Sequence, residues 1–247
     1  VRKIFKYLAG NRTVSVTWNG KKFYFNAYRN FGFATVSLDS IESDQRAYVK
    51  KLFQKLKFNT AFDIGANIGF WTVSLAAMMG RNGNIISIEP DRRNIIYLKK
   101  NTSELESRIN ILNIGLSSKT GTAILNTDET GALNSIELLD QASYTGRQKI
   151  DVETIDSIAE QYGYPDFIKL DVEGHEYEVI QGAISTLRQG KSIWLIEVTN
   201  NGVAVLDLLQ KTGHTVVNMQ GDEIFHPEYY VGAIPTRIYQ SLRQNSV

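Results

Sequence analysis

The run Asp171-Val172-Glu173-Gly174-His175-Glu176 places three carboxylates and an imidazole within six consecutive positions. A hydroxyl on an alkyl carbon ionises far above neutral pH, so a reaction that uses its oxygen as nucleophile needs a base to take the proton as the bond forms. Asp171 and His175 are the candidates, with Glu173 between them. Neighbouring acids raise a histidine's pKa or select its tautomer, and His175 is one of three histidines in the chain. The bland alternative is a satisfied structural histidine. Asp171, Glu173, Glu176 and Glu197 are also hard oxygen donors of the kind magnesium and calcium take. Acids at a helix start are equally well explained by the helix dipole, so no metal is expected.

A second such stretch is Asp63-Ile64-Gly65-Ala66-Asn67-Ile68-Gly69. Gly65 and Gly69 permit a tight turn and close approach of a ligand to the backbone. The pattern lacks the middle glycine of a dinucleotide loop and the Gly-Lys-Ser/Thr of a phosphate loop. Asp63 would repel a phosphate and attract a cation. S-adenosylmethionine carries a sulfonium and an ammonium and no phosphate, and is the cofactor expected; the alternative is an ordinary glycine turn. Glu89, followed by Pro90, suits both hydroxyls of a ribose, or else is a solvated acid at a strand end.

These residues need strands to carry them. The apolar pair Ala61-Phe62 runs into Asp63, and Phe70, Val73, Ala77 and Met78 recur at helical spacing after the glycine loop. Strands are then expected at 84–89, 109–114, 167–172, 192–198 and 214–219, with a weaker one at 232–238. Helices are expected at 92–101, 155–162 and 203–212, and one helix face through Tyr177, Ile180, Ile184 and Leu187. Residues 121–126 are expected to pair with 150–153 at a sheet edge. This alternation predicts an α/β fold: a doubly wound, mostly parallel sheet with right-handed crossovers. Ligands in such sheets bind beyond the carboxyl ends of the strands. The predicted strand ends are Asp63, Glu89, Gly115, Asp171 with Glu173, and Glu197. Four of the five are acidic, which suggests a pocket for a cation and for hydroxyls.

Ahead of this unit, Val14, Val16 and Trp18 alternate with polar residues, Asn19-Gly20 supplies a type I′ turn, and Phe23, Phe25 and Ala27 return. Residues 31–43 read as loop or short strand, and 1–10 as a basic amphipathic helix. A boundary near Asp44 divides an N-terminal hairpin annex, 1–44, from a cofactor-binding domain, 45–247.

The chain has 247 residues, 43% of them hydrophobic, enough for one full core with a small annex. A net charge of +1 gives no long-range field for nucleic acid. Absence of cysteine excludes disulfides, thiolate zinc sites and cysteine nucleophiles. There is no apolar run of about 18 residues and no signal-peptide pattern, so a cytoplasmic protein is expected.

The segments Phe62 through Gly69, Ile88-Glu89-Pro90, Ile168 through Glu176, and Leu195-Ile196-Glu197-Val198 closely resemble the FkbM-type methyltransferases. The Asp-Val-Glu-Gly-His-Glu segment is the specific part. The resemblance implies a class I, Rossmann-like fold with seven strands, the last antiparallel. It implies S-adenosylmethionine-dependent O-methylation of a hydroxyl on a sugar, glycan, glycolipid or secondary metabolite. By position it assigns Asp63, Gly65, Asn67, Gly69 and Glu89 to the cofactor, with Ala66 and Pro90 in the same segments and Gly115, Leu116 and Ser117 near the adenine. Asp171, Glu173 and His175 would line the methyl-transfer site, Asp171 also touching the cofactor. Two alternatives are a nucleic-acid methyltransferase and a binding module that has lost catalysis. The first lacks the Pro-Pro-aromatic strand end of base-amino methylases; the intact acids speak against the second. A small-molecule or glycan acceptor is the partner expected; the oligomeric state is not legible.

Overall fold

The computed structural model describes residues 10–127 and 146–244. The basic segment expected at the N-terminus lies almost wholly outside the described residues, as does most of the polar loop before residue 146.

The centre is a seven-stranded sheet built from β3 (Thr60–Ile64), β4 (Asn84–Ile88), β5 (Ile109–Leu112), β9 (Phe167–Leu170), β10 (Ile193–Glu197), β11 (His214–Val217) and β12 (Tyr230–Pro235). Its order is β11-β12-β10-β9-β3-β4-β5. All neighbours are parallel except β12, which runs antiparallel to both β10 and β11. Strands buried on both faces read as near-continuous apolar runs, and β9 and β10 are buried at every position.

The period of two sorts these strands onto two faces. Phe62, Ile64, Ile86, Ile88, Ile168, Leu170, Trp194 and Ile196 pack with α5 (Ile155–Tyr162), α6 (Glu176–Gln181), α7 (Ile184–Arg188) and α8 (Gly202–Lys211). Ala61, Ile85, Phe167, Ile193 and Leu195 face α2 (Ser43–Lys55), α3 (Phe70–Met79) and the N-terminal hairpin. On this second face the same period carries Asp63, Ser87, Lys169 and Glu197, all buried. A polar layer therefore lies under the carboxyl edge of the central strands.

The hairpin of β1 (Thr13–Trp18) and β2 (Lys21–Asn26) pairs from Thr13↔Asn26 to Trp18↔Lys21, with left-handed Asn19 and Gly20 at the turn. It packs on the second face: Trp18 stacks on Phe70 at 4.9 Å, and its Nε1 donates to Asp39 Oδ1 at 3.0 Å.

Four readings of the sequence are corrected. Residues 31–35 form a short helix, α1 (Phe31–Thr35). Gly115 is not in a bare turn: β6 (Gly115–Leu116), β7 (Gly121–Thr127) and β8 (Gly146–Glu153) make a separate three-stranded sheet. The expected pairing is there, from Gly121↔Val152 to Thr127↔Gly146, but not on the main sheet. The helix face through Leu187 breaks into α6 and α7 at Gly182, where an added Cβ would lie 2.3 Å from the carbonyl oxygen of Ser117. Finally, β12 begins at Tyr230 and ends at Pro235, and the chain passes directly into α9 (Thr236–Gln244). No helix among the described residues is long and apolar enough to cross a membrane.

Candidate active site

A cleft opens at the carboxyl edge between β9 and β5, lined by Gly65, Asn67, Glu89, Pro90, Asn94, Gly115, Leu116, Leu125, Asp171 and Glu173, with Ile64, Ile88, Ile114 and Val172 behind them. The sheet order arranges these residues in a row: Glu197 ends β10, Asp171 and Glu173 follow β9, Gly65 and Asn67 follow β3, Glu89 follows β4, and Gly115 follows β5. Three inter-strand steps separate β9 from β5, about 14 Å. That is room for an extended ligand laid across the strand ends.

The glycine loop is folded by its backbone. Gly65, Asn67 and Gly69 have φ of +76°, +49° and +95°, and asparagine is among the few side chains that accept this region. The N–H groups of Gly65 and Ala66 donate to the Ile88 carbonyl at 3.0 Å each. The N–H of Asn67 donates to Glu89 Oε2 at 2.8 Å. Glu89 Oε1 accepts from the N–H of Asp91 at 2.8 Å and from Asn94 Nδ2 at 3.3 Å. Burial pushes the Glu89 carboxyl up to about 7, against the pull of these donors. An acid whose folded pKa is raised stabilises the fold below its unfolded value and loses that contribution as pH climbs to the folded value. Glu89→Gln should therefore gain stability relative to the parent chain between pH 4.5 and 7, the gap then staying level to pH 9. Thermal melts of both chains across that range check it; a gap that shrinks with rising pH contradicts the assignment.

At the β9 end, Lys169 Nζ donates to Asp171 Oδ2 at 2.6 Å. Burial opposes the Lys169 charge, but Asp171, Glu42 and Asp63 together outweigh it and keep it protonated. Glu173 and Gly174 stand in left-handed conformations, φ +53° and +100°. A non-glycine residue held there is strained, and such strain gathers at working sites. Burial first, then the charge of Asp171, pushes the Glu173 carboxyl up to about 8. Glu197 accepts hydrogen bonds from the hydroxyls of Tyr229 and Tyr230, the latter at 2.6 Å, and burial raises its pKa too. One oxygen from each of Asp171, Glu173 and Glu197 lies within 4.8 Å of the others. Two of these acids already accept from neighbours, Asp171 from Lys169 and Glu197 from two phenols. The three acids form a hydrogen-bonded cluster whose oxygens are also close enough to share a cation.

The sequence expectations divide accordingly. Gly65, Asn67, Glu89, Pro90, Gly115, Leu116, Asp171 and Glu173 line the cleft; Asp63, Ala66, Gly69, Ser117 and His175 do not. Asp63 is fully buried, paired across the sheet with Ser87 and Lys169. Its Oδ2 accepts from Thr72 Oγ1 at 2.5 Å, and that hydroxyl shares a second bond with Ser87. Asp63 thus supports the floor of the cleft. Gly69 sits at the start of α3 against Leu98, where an added Cβ would be 2.8 Å from Leu98 Cδ1. His175, buried, shares a 3.0 Å bond through Nε2 with Ser117 Oγ, and its Nδ1 is 3.6 Å from Glu178. The pair joins the loop after β9 to the end of β6, which is a bracing geometry rather than that of a base facing a ligand. Glu176, buried, accepts from the N–H of Gly174 and from Thr199 Oγ1, so it closes the same loop. Trp18 and Phe33 pack into the aromatic cluster around Phe70.

Residues unmarked in the sequence complete the site. Asn94 and Leu125 line the cleft. Glu42 has left-handed backbone, φ +46°, and accepts from the Trp71 indole. Burial raises its pKa and the Lys169 charge opposes that rise. Before α2 it reads as nothing more than a polar residue at a helix start.

A sheet of this order, with its antiparallel strand second from one edge and its cleft above a glycine loop, defines a class I, Rossmann-like methyltransferase fold. The model of the methyltransferase FkbM domain matches residues 63–216, and the chain belongs to that family. Hexuronic acid methyltransferase AglP of Haloferax volcanii is 26% identical over 137 residues, 56% of this chain and 54% of the relative. The chain thus spans about half the length of the curated relative it matches. The crystal structure of methyltransferase FkbM from Methylobacillus flagellatus KT superposes with a TM-score of 0.50 at 21% identity, covering 71% of this chain and 43% of that one.

Proposed function

We propose that this chain transfers a methyl group from S-adenosylmethionine to a hydroxyl of a sugar or other polyhydroxylated acceptor. The observation that carries the reading is the single row along the sheet edge. It begins with a base-forming acid cluster, passes the glycine loop, and ends at a ribose-type carboxylate flanked by apolar walls.

The residues present fit the cofactor. Glu89 keeps an acceptor site on Oε2 for a ribose hydroxyl, Oε1 already accepting from the Asp91 N–H and Asn94 Nδ2, and its neighbours Asn67 and Asn94 fix it in place. Leu116, Leu125 and Pro90 offer apolar surface for a purine. Asp171 gives the other part of the cleft an acidic lining suited to a cation, which Glu173 joins as it ionises. S-adenosylmethionine supplies a methyl group activated by the positive charge on its sulfur. The work left to the protein is alignment, which is worth many orders of magnitude in effective concentration, together with proton removal from the acceptor.

Glu173 is the best-matched base. A catalytic pKa near the working pH combines an available ionised form with useful basicity, and Glu173 lies in that range. Asp171, tied to Lys169, orients the cluster. Tyr229, 57% exposed beside Glu197, gives the acceptor a polar aromatic edge.

The relative's substrate, a hexuronic acid, suggests a carboxylate-bearing sugar. The acid cluster favours an uncharged one, because a carboxylate beside Asp171 and Glu197 is repelled and a carboxylate acceptor needs no base. Two measurements test this. Calorimetry should detect S-adenosylhomocysteine binding at micromolar concentrations; no binding would end the cofactor reading. Methyl release from a panel of matched hexosides and hexuronates should favour the neutral sugars at least tenfold in kcat/KM. A preference for uronates would overturn the acceptor reading and leave the cofactor reading standing.

A further inference from the structure

We infer that Arg29, in the turn after the N-terminal hairpin, is a positioning residue for the ribose-type carboxylate Glu89. The inference rests on the cofactor reading above and gives the hairpin annex a part in it.

The turn is built to aim this side chain. Asn26 Oδ1 accepts from the N–H groups of Tyr28 and Arg29 at 3.0 Å each. Asn26 is itself held: its N–H donates to Asn30 Oδ1 at 3.2 Å, and its Nδ2 to Asn11 Oδ1 at 2.6 Å. Asn26 and Asn30 are both buried. Such asparagine turns fix local backbone through the side chain rather than through sheet or helix bonds.

From this turn the Arg29 guanidinium, 11% exposed, reaches across to α4 (Arg92–Thr102) and its cap. Nη2 donates to Asp91 Oδ2 at 3.3 Å and to Asn94 Oδ1 at 3.4 Å. Asn94 in turn donates through Nδ2 to Glu89 Oε1 at 3.3 Å, and the Asp91 N–H donates to the same oxygen at 2.8 Å. Asp91 and Asn94, which accept from Arg29, are therefore both donors to Glu89. The chemistry of Asn94 makes the relay directional. Its amide has one acceptor and one donor end. A guanidinium on one side and a carboxylate on the other allow only one orientation: oxygen toward Arg29, NH2 toward Glu89. Without Arg29 the Asn94 oxygen loses its charged donor, and the hold on the amide that donates to Glu89 is weakened.

A second tie ends on the glycine loop. Asn101 Oδ1 accepts from the N–H of Tyr24 at 2.6 Å, and its Nδ2 donates to the carbonyls of Tyr24 and Ile68 at 2.9 and 2.8 Å. The hairpin thus grips the glycine loop at Ile68 and the Glu89 support at Asp91 and Asn94. The charged groups around Glu89 are Asp91, with Arg29 and Arg93 on it; Arg93 also pairs with Asp91, at 2.7 Å, but is 38% exposed.

The test is S-adenosylhomocysteine affinity of the full chain from pH 6 to 9, with thermal melts alongside, for Arg29→Met and Arg29→Lys. Arg29→Met should weaken affinity about tenfold, the loss expected for one charge-assisted contact. It should also move the midpoint of the pH dependence upward by about half a unit, since Glu89 then keeps its proton to higher pH. Arg29→Lys, which keeps the cation, should leave the midpoint in place and recover part of the affinity. The KM for cofactor should rise more than kcat falls. If Arg29→Met does not fold, Arg29→Gln carries the same expectation. A lowered melting temperature with unchanged affinity and midpoint would reduce Arg29 to a structural residue and overturn the inference alone. A parent chain that binds no S-adenosylhomocysteine would overturn the cofactor reading with it.

Discussion

Glu173→Gln is expected to lower turnover at least a hundredfold while S-adenosylhomocysteine affinity stays within about threefold. General bases contribute roughly 10²–10⁴ in rate, and Glu173 lines the cleft at its acid-cluster end with its carboxyl pushed up to about 8. Glutamine copies the size and polarity of the protonated acid, the form that dominates at pH 7, so fold and cofactor cleft should not register the change. The pH profile carries the sharper signature. Activity of the parent chain should rise as Glu173 loses its proton, with the limb at or below about pH 8, because a cationic ligand in the cleft favours the ionised form. In the variant that limb should vanish. Steady-state rates from pH 5.5 to 9.5 decide it: a glutamine variant that keeps both rate and limb would remove Glu173 from the reaction.

Gly65→Ala should abolish measurable cofactor binding and cost several degrees in melting temperature. The new Cβ would lie 1.7 Å from the carbonyl oxygen of Asp171, a distance that no rotamer relieves because both atoms are fixed to backbone. Either the glycine loop or the end of β9 must move. Each move breaks the 3.1 Å bond from the Asp171 N–H to the Ile64 carbonyl and separates the two walls of the cleft. Gly163→Ala serves as control. It also sits at positive φ, +93°, with ψ 147°, but has nothing within 4 Å, so alanine there carries backbone strain of about 1–3 kcal/mol without any crowding. Equal losses of affinity in the two variants would mean that the crowding at Gly65 is irrelevant.

The frame of the molecule was legible because its rules are local. Alternating apolar strands and helices predicted the parallel sheet, Asn19-Gly20 predicted the hairpin turn, and acids at strand ends pointed to the edge where the cleft lies. Asp63 illustrates a burial signal that the strand pattern carries. It stands two residues from Ala61, and residues two apart on a strand share a face; Ala61 is core, so Asp63 had to be buried as well. His175 could not be resolved this way, since its partner Ser117 lies 58 positions away. Glu42, Tyr229 and Tyr230 reach the acid cluster from opposite ends of the chain, and each looks locally like a helix start or a rim aromatic. The break at Gly182 has the same origin: its cause is the backbone of Ser117, not the sequence around the glycine.

The placement of β12 between β10 and β11 has a consequence for synthesis on the ribosome. β10 and β11 emerge well before residues 230–235, yet their facing edges have no hydrogen-bonding partner until that late segment threads between them. The same segment delivers the phenols of Tyr229 and Tyr230 to Glu197. A nascent chain can thus hold its glycine loop and Glu89 early, while the acceptor side of the cleft waits for that strand to leave the exit tunnel.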